Sequence, residues 1–188
     1  MLILKNFSRT DLMFSLCGLN CNLCTMKLDN YCPGCGGGSG NQGCSIAKCS
    51  LLHQGIEYCF LCEEYPCSKY EGIEKYDSFI THRKQLSDMK KARMVGLDRY
   101  HLELEGKAEI LRYLLENYND GRRKTFFCLA INLLEVSDIR EVVEKLKKQI
   151  DLNHKTMKEK ALVAVSLFQE IADKNNILLK LNKKPSKK

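Results

Sequence analysis

The sequence predicts a mainly α-helical protein, in which a small cysteine-rich N-terminal module packs on an α-helical bundle. Three observations carry that expectation. Ten of the 11 cysteines lie between Cys17 and Cys67. Beyond that segment apolar residues recur at three- and four-residue steps, the period of an α-helix. No alternating strand pattern occurs outside Leu2-Ile3-Leu4. The composition accordingly divides the chain into a cysteine-rich module over 1–68, a helical domain over 69–178 and a basic, disordered tail over 179–188.

In the first segment, one helix is expected from Ser45 to Gly55. Ser45 serves as its N-cap, Ile46, Cys49 and Leu52 form one face, and Gly55 is the stop. Further on, Tyr70, Ile73, Tyr76, Ile80 and Met89 predict a helical face ending at Lys90, Lys91 and Arg93, with Gly96 as terminator. Leu97, Tyr100, Leu104, Ala108, Leu111, Leu115 and Tyr118 predict the next helix, closed by Asn119-Asp120-Gly121. A buried helix follows over 124–134, with Asp120 as its expected N-cap. Ser137 or Asp138 then caps a helix carrying Ile139, Val142, Val143, Leu146 and Ile150. Met157, Ala161, Ala164, Val165, Phe168, Ile171 and Ala172 mark the last one. Helices of this kind assemble as a bundle.

The cysteines are Cys17, Cys21, Cys24, Cys32, Cys35, Cys44, Cys49, Cys59, Cys62 and Cys67, with Cys128 set apart. Three C-x-x-C pairs stand out: Cys21/Cys24, Cys32/Cys35 and Cys59/Cys62. Thiolates two residues apart can meet one ion from a tight turn, and four of them at about 2.3 Å satisfy tetrahedral zinc. In Tyr31-Cys32-Pro33-Gly34-Cys35-Gly36, Pro33 presets one turn dihedral, while Gly34 and Gly36 allow the positive φ of a zinc knuckle. Disulfides are the weaker reading. Met1 to Leu16 includes Lys5, Arg9 and Asp11 and lacks a signal-peptide core, so a cytoplasmic, reducing compartment is expected. The longest strictly apolar run, Phe126 to Ile131, is too short to cross a bilayer, so no membrane partner is expected.

Ten cysteines exceed two Cys₄ sites by two. One partition gives Cys21, Cys24, Cys32 and Cys35 to one ion and Cys44, Cys49, Cys59 and Cys62 to another, leaving Cys17 and Cys67; interleaved or bridged sets are alternatives that spacing does not separate. His53 is a conceivable substitute ligand, read more simply as an exposed helix residue. Cys128 is expected as a buried core thiol, the competing reading being a thiol activated by Arg122, Arg123 or the helix start. Arg122 and Arg123 are read as a solvated turn ahead of an anion site. His82, His101 and His154 lie on polar stretches with no carboxylate–nucleophile arrangement nearby. No Ser/His/Asp order, phosphate loop or H-E-x-x-H motif appears, so no reaction is assigned.

A formal charge of +7 invites a nucleic-acid reading. Five of the lysines (Lys180, Lys183, Lys184, Lys187 and Lys188) lie in the last nine residues without an acid, however, which leaves 7 − 5 = +2 for the rest. A solvated basic tail accounts for the excess. A protein partner is the expectation, with nucleic acid a weaker one.

The motifs together resemble a known family. Cys17-Gly18-Leu19-Asn20-Cys21-x-x-Cys24, Cys32-x-x-Cys35, Cys44-Ser45-Ile46-Ala47-Lys48-Cys49 and Glu57-Tyr58-Cys59-x-x-Cys62-Glu63-Glu64-Tyr65-Pro66-Cys67 are similar to the cysteine-rich domain-of-unknown-function family 3795 of bacteria and archaea. The block from Asn119-Asp120-Gly121-Arg122-Arg123 through Asn132-Leu133-Leu134 is similar to that family's second signature. The resemblance implies a zinc-binding protein and no particular reaction. It leaves two functions open: a structural-zinc interaction module, or a redox or metal-handling protein with reactive thiols or an iron–sulfur cluster. Cys17-x-x-x-Cys21-x-x-Cys24 matches the spacing of radical enzymes that use S-adenosylmethionine. Leu23 stands where those enzymes usually carry an aromatic residue, and a bundle is not their partial barrel.

Overall fold

The computed structural model describes residues 6–38, 43–149 and 154–185. Among them are seven α-helices and no β-strand: α1 (Thr25–Leu28), α2 (Ser45–Leu52), α3 (Gln85–Val95), α4 (Leu97–Tyr118), α5 (Lys124–Leu133), α6 (Val136–Lys148) and α7 (Met157–Lys174). Short 3₁₀ turns occupy Cys21–Leu23, Cys59–Leu61 and Ser68–Tyr70. The protein is thus mainly helical, as its periodicity predicts. No helix of the described residues is long and apolar enough to cross a membrane.

Helix α4 is the axis of the bundle. Its stripe of Tyr100, Leu104, Ala108, Leu111, Leu114 and Tyr118 is buried, and α3, α5, α6 and α7 all pack against it. Gly96 separates α3 from α4 with φ +87°, a backbone state that stops α3 and that an L side chain resists. In α5 every residue from Phe127 to Leu133 is buried, as expected of a helix enclosed on all sides. Helix α6 buries Ile139, Val142, Val143 and Leu146; Ile150 lies outside the described residues, as does Leu2-Ile3-Leu4. Helix α7 buries Ala161, Ala164, Phe168, Ile171 and Ala172, with Val165 only half-buried. It opens with a capping box that the sequence reading missed: Glu159 N–H donates to Thr156 Oγ1, and Thr156 N–H donates to Glu159 Oε2 at 2.8 Å.

Several expectations are corrected. The periodicity through Tyr70, Ile73, Tyr76 and Ile80 is not helical: after the Ser68–Tyr70 turn the chain runs through turns and bends until α3. Asp77 takes over the local backbone there, accepting from His82 N–H at 2.8 Å and Thr81 Oγ1 at 3.1 Å, and such bonds compete with helix formation. The N-cap of α2 is Cys44, not Ser45, and its buried face is Ile46, Ala47 and Ser50, while Leu52 is 85% exposed. Arg123, not Asp120, precedes α5. The Asp120 carboxylate instead accepts from Arg122 N–H in a local turn, while Asn119 Oδ1 accepts from Arg123 N–H. Glu135 precedes α6 in place of Ser137 or Asp138, its carboxylate paired with Lys84 at 2.5 Å.

The tail, expected to be disordered from residue 179, is bound as far as Lys183. Leu179 is buried. Arg83 donates to the carbonyls of Leu178 (2.6 Å) and Lys180 (3.0 Å). Asn182 exchanges bonds with Asp77 through its backbone, and its side chain donates to Lys75 O at 2.7 Å. Residues 178–183 form an extended strap across the loop that precedes α3.

One hydrophobic core serves both halves of the chain. Phe14, Leu16, Leu23, Tyr58 and Phe60 from the cysteine-rich segment join Met89, Leu104, Leu111 and Phe127 from the helices. Phe14 lies at its centre, 4.8 Å from the ring of Tyr100 and 5.9 Å from that of Tyr58. The first cysteine turn sits directly on α3. A Cβ at Gly18 (φ +100°) would stand 2.4 Å from Met89 Cγ and 2.6 Å from Gln85 O, so only glycine permits that approach.

Candidate metal centre

The cysteines are held on turns, and local hydrogen bonds explain why. Ser15 N–H donates to Leu19 O at 2.8 Å, and Leu19 N–H donates to Ser15 Oγ at 2.7 Å, which folds Cys17 back over the Cys21–Leu23 turn. Gln85 Nε2 (2.9 Å) and Tyr70 OH (3.3 Å) both donate to Cys17 O and fix it to the helical side. Cys24 N–H donates to Cys21 O, and Cys62 N–H to Cys59 O, each at 3.0 Å: the two pairs share one turn geometry. Gly34 and Gly36 have φ of +105° and +85°, as the knuckle reading of Cys32 to Cys35 expects. Buried Arg9 locks that knuckle in place. Its guanidinium donates to the carbonyls of Glu57, Asp11, Phe14 and Cys35 and pairs with the Glu57 carboxylate at 3.5 Å.

Three gatherings of thiols result. Cys49, Cys59, Cys62 and Cys67 line one small cavity of about 20 Å³ together with His53 and Tyr70. Burial pushes the Cys59 thiol up to about 11, Tyr70 opposes this through a hydrogen bond, and Cys67, Cys49 and Cys62 add like-charge repulsion. His53 Nδ1 stands 3.9 Å from Cys62 Sγ, so the residue read as bland is at the cluster's edge. A second gathering centres on Cys35, which neighbours Cys17, Cys21 and Cys44. Burial pushes Cys17 up to about 12, and repulsion from neighbouring Cys35, Cys44 and Cys59 adds to the rise. Burial likewise pushes Cys21 up to about 12 against a bond from the Cys35 backbone. The third is Cys24, raised by burial and neighbour to Cys32, with Cys128 beside it. Cys128 is 6% exposed and pushed up to about 12 by burial, as a core thiol should be and an activated one should not.

This grouping differs from the sequential partition and falls among the interleaved alternatives that spacing leaves open. Cys67 joins the Cys49 cluster instead of being left over, and Cys44 sides with Cys17 and Cys35. The reason is helical: Cys44 caps the start of α2 and Cys49 lies on its second turn, about 7.5 Å further along the axis, so they face different clusters. Among the described residues, no three His, Cys, Asp or Glu side chains stand in a ready coordination set. The chemistry of the donors nevertheless suits a thiophilic ion: four sulfurs border one small cavity, and the carboxylate of Glu64 is its only hard anionic donor.

Beneath the cysteine turns lies a buried polar network that no motif announces. Asn20 Nδ2 donates to Asp88 Oδ2 at 2.8 Å and to Asn132 Oδ1 at 3.4 Å, and Tyr100 OH donates to Asn20 Oδ1 at 2.9 Å. Asn132 Nδ2 reaches Leu23 O and Cys128 O. Lys107 is 7% exposed and donates to Leu134 O at 3.0 Å. Burial raises the Asp88 carboxyl to about 6, against the pull of Lys107; burial also lowers the Lys107 ammonium, against Asp88. The available signal was a charged residue inside an apolar stripe: Lys107 beside Ala108, and Asp88 beside Met89. A second overlooked contact joins His101 Nε2 to Asp11 Oδ2 at 3.0 Å, and Tyr58 OH donates to the same oxygen at 2.7 Å.

No family model matches the chain, and neither the curated proteins nor the solved structures contain a match to it.

Proposed function

We propose that this chain is a structural-zinc protein whose cysteine-rich segment is a binding module for a protein partner. The observation that carries the reading is the gathering of Cys49, Cys59, Cys62 and Cys67, drawn from three separate stretches of chain, around one small cavity. These four residues would hold one ion, with His53 as the alternate donor; Cys17, Cys21, Cys35 and Cys44 would hold a second. Closed thiolate ligation would supply folding energy to a segment short of long apolar stretches. Leu52 and Leu61, 85% and 57% exposed on the two stretches that carry Cys49 and Cys59, offer the partner an apolar surface. The resemblance to family 3795 forms part of this proposal and rests on cysteine order and spacing.

Elemental analysis and an absorption spectrum of protein purified without oxygen test it. About two zinc ions per chain and a colourless solution are expected. Iron with inorganic sulfide and a brown chromophore would overturn the reading in favour of a redox protein.

A further inference from the structure

Residues 178–183 border an open groove of about 940 Å³ that no cysteine lines. Its size is that of a small-molecule site. Phe126, Leu129 and Leu181 give it an apolar floor, and every ionisable side chain lining it, Arg83, Lys180 and Lys183, is a cation. Arg83 is committed to the strap carbonyls and stands 3.7 Å from Asp77. The ammonium groups of exposed Lys180 and Lys183 therefore supply the charge that faces solvent.

An apolar floor whose only charged lining residues are cations selects one kind of occupant. A neutral apolar ligand would leave the lysines unused. A cationic one would meet like charge, and a strongly hydrated inorganic anion would gain nothing from the floor. We infer that this groove binds a small amphipathic anion, with its apolar body on Phe126, Leu129 and Leu181 and its acidic head between Lys180 and Lys183. The basic tail thereby acquires a positioned role in place of a general attraction for polyanions, and this role is independent of metal in the cysteine clusters.

Calorimetric titration of the full-length protein with dodecanoate and with dodecyltrimethylammonium, both below the concentrations at which they aggregate, tests the proposal. Dodecanoate should bind at about one site per chain, and the ammonium of equal chain length at least about tenfold more weakly. K180Q/K183Q changes only exposed side chains and should weaken dodecanoate at least about tenfold. L178S, at an exposed wall position, should weaken it several-fold by removing apolar contact. The proposal is overturned if dodecanoate does not bind, if both amphiphiles bind equally, or if K180Q/K183Q binds dodecanoate as tightly as the wild type.

Discussion

Asn20 and Asp88 are joined by a 2.8 Å hydrogen bond across 68 residues of sequence, and that bond ties the first cysteine turn to helix α3. Both residues are buried. Asn20 also accepts from Tyr100, so it is the hub where α3, α4 and the turn meet.

Replacing the hub should therefore cost more than an average substitution. Asn20→Ala removes the amide that bridges a buried carboxylate and a buried phenol, a loss of about 2–3 kcal/mol. Urea denaturation followed by circular dichroism measures it. A change below about 0.5 kcal/mol would show that the network is not coupled to folding.

Asp88 also sets a pH dependence. Its carboxyl rises from 3.8 to about 6 on folding, chiefly through burial. The folded state thus holds the proton more tightly than the unfolded chain, and ∂ΔG/∂pH is negative where the two differ. This residue's contribution is most favourable below about 4 and is lost as pH rises through about 6. Relative to wild type, Asp88→Asn should be more favourable at pH 7 than at pH 4.5. Denaturation of both proteins at the two pH values gives the comparison, and an unchanged difference between them would contradict it.

Two glycines should respond unequally to alanine. Gly18→Ala drives a methyl into Met89 and Gln85 O at a φ of +100° and should cost more than about 2 kcal/mol. Gly55→Ala has φ +69° with nothing within 4 Å and should cost about 1 kcal/mol. Thermal melting ranks them, and equal losses would mean that α3 moves away freely from the turn.

Cysteine substitutions separate the clusters. Cys59→Ser should lower bound zinc by about one ion per chain and reduce the melting temperature. Cys128→Ser should leave metal content unchanged, because that thiol lies in the core of α5. Elemental analysis of both variants decides, and loss of metal from Cys128→Ser would move Cys128 into a site.

Much of the helical half was legible because its signal is periodic. Tyr100 to Tyr118 and Ala161 to Ala172 repeat every three or four residues, and one solvent-averted face suffices to place them. The stretch from Tyr70 to Ile80 carries a similar period, yet Asp77 diverts its backbone bonds to a side chain, and no periodicity reports that. Cys44 and Cys49 were legible as a closely spaced pair but not as members of different clusters, since that depends on which way each faces around α2. The polar network escaped altogether. Asn20, Asp88 and Asn132 lie far apart in sequence, and nothing in their local patterns says that they meet one another.

The strap has a consequence for the order in which the protein is made. Asp77 and Arg83 take partners at Leu178, Lys180 and Asn182, between 95 and 105 residues later. During synthesis, the loop ahead of α3 must wait without those partners until residues 178–182 have left the ribosome. Its final shape forms only after helices α3 to α7 have been made, and a chain cut short before Leu178 would emerge with that loop permanently unfinished.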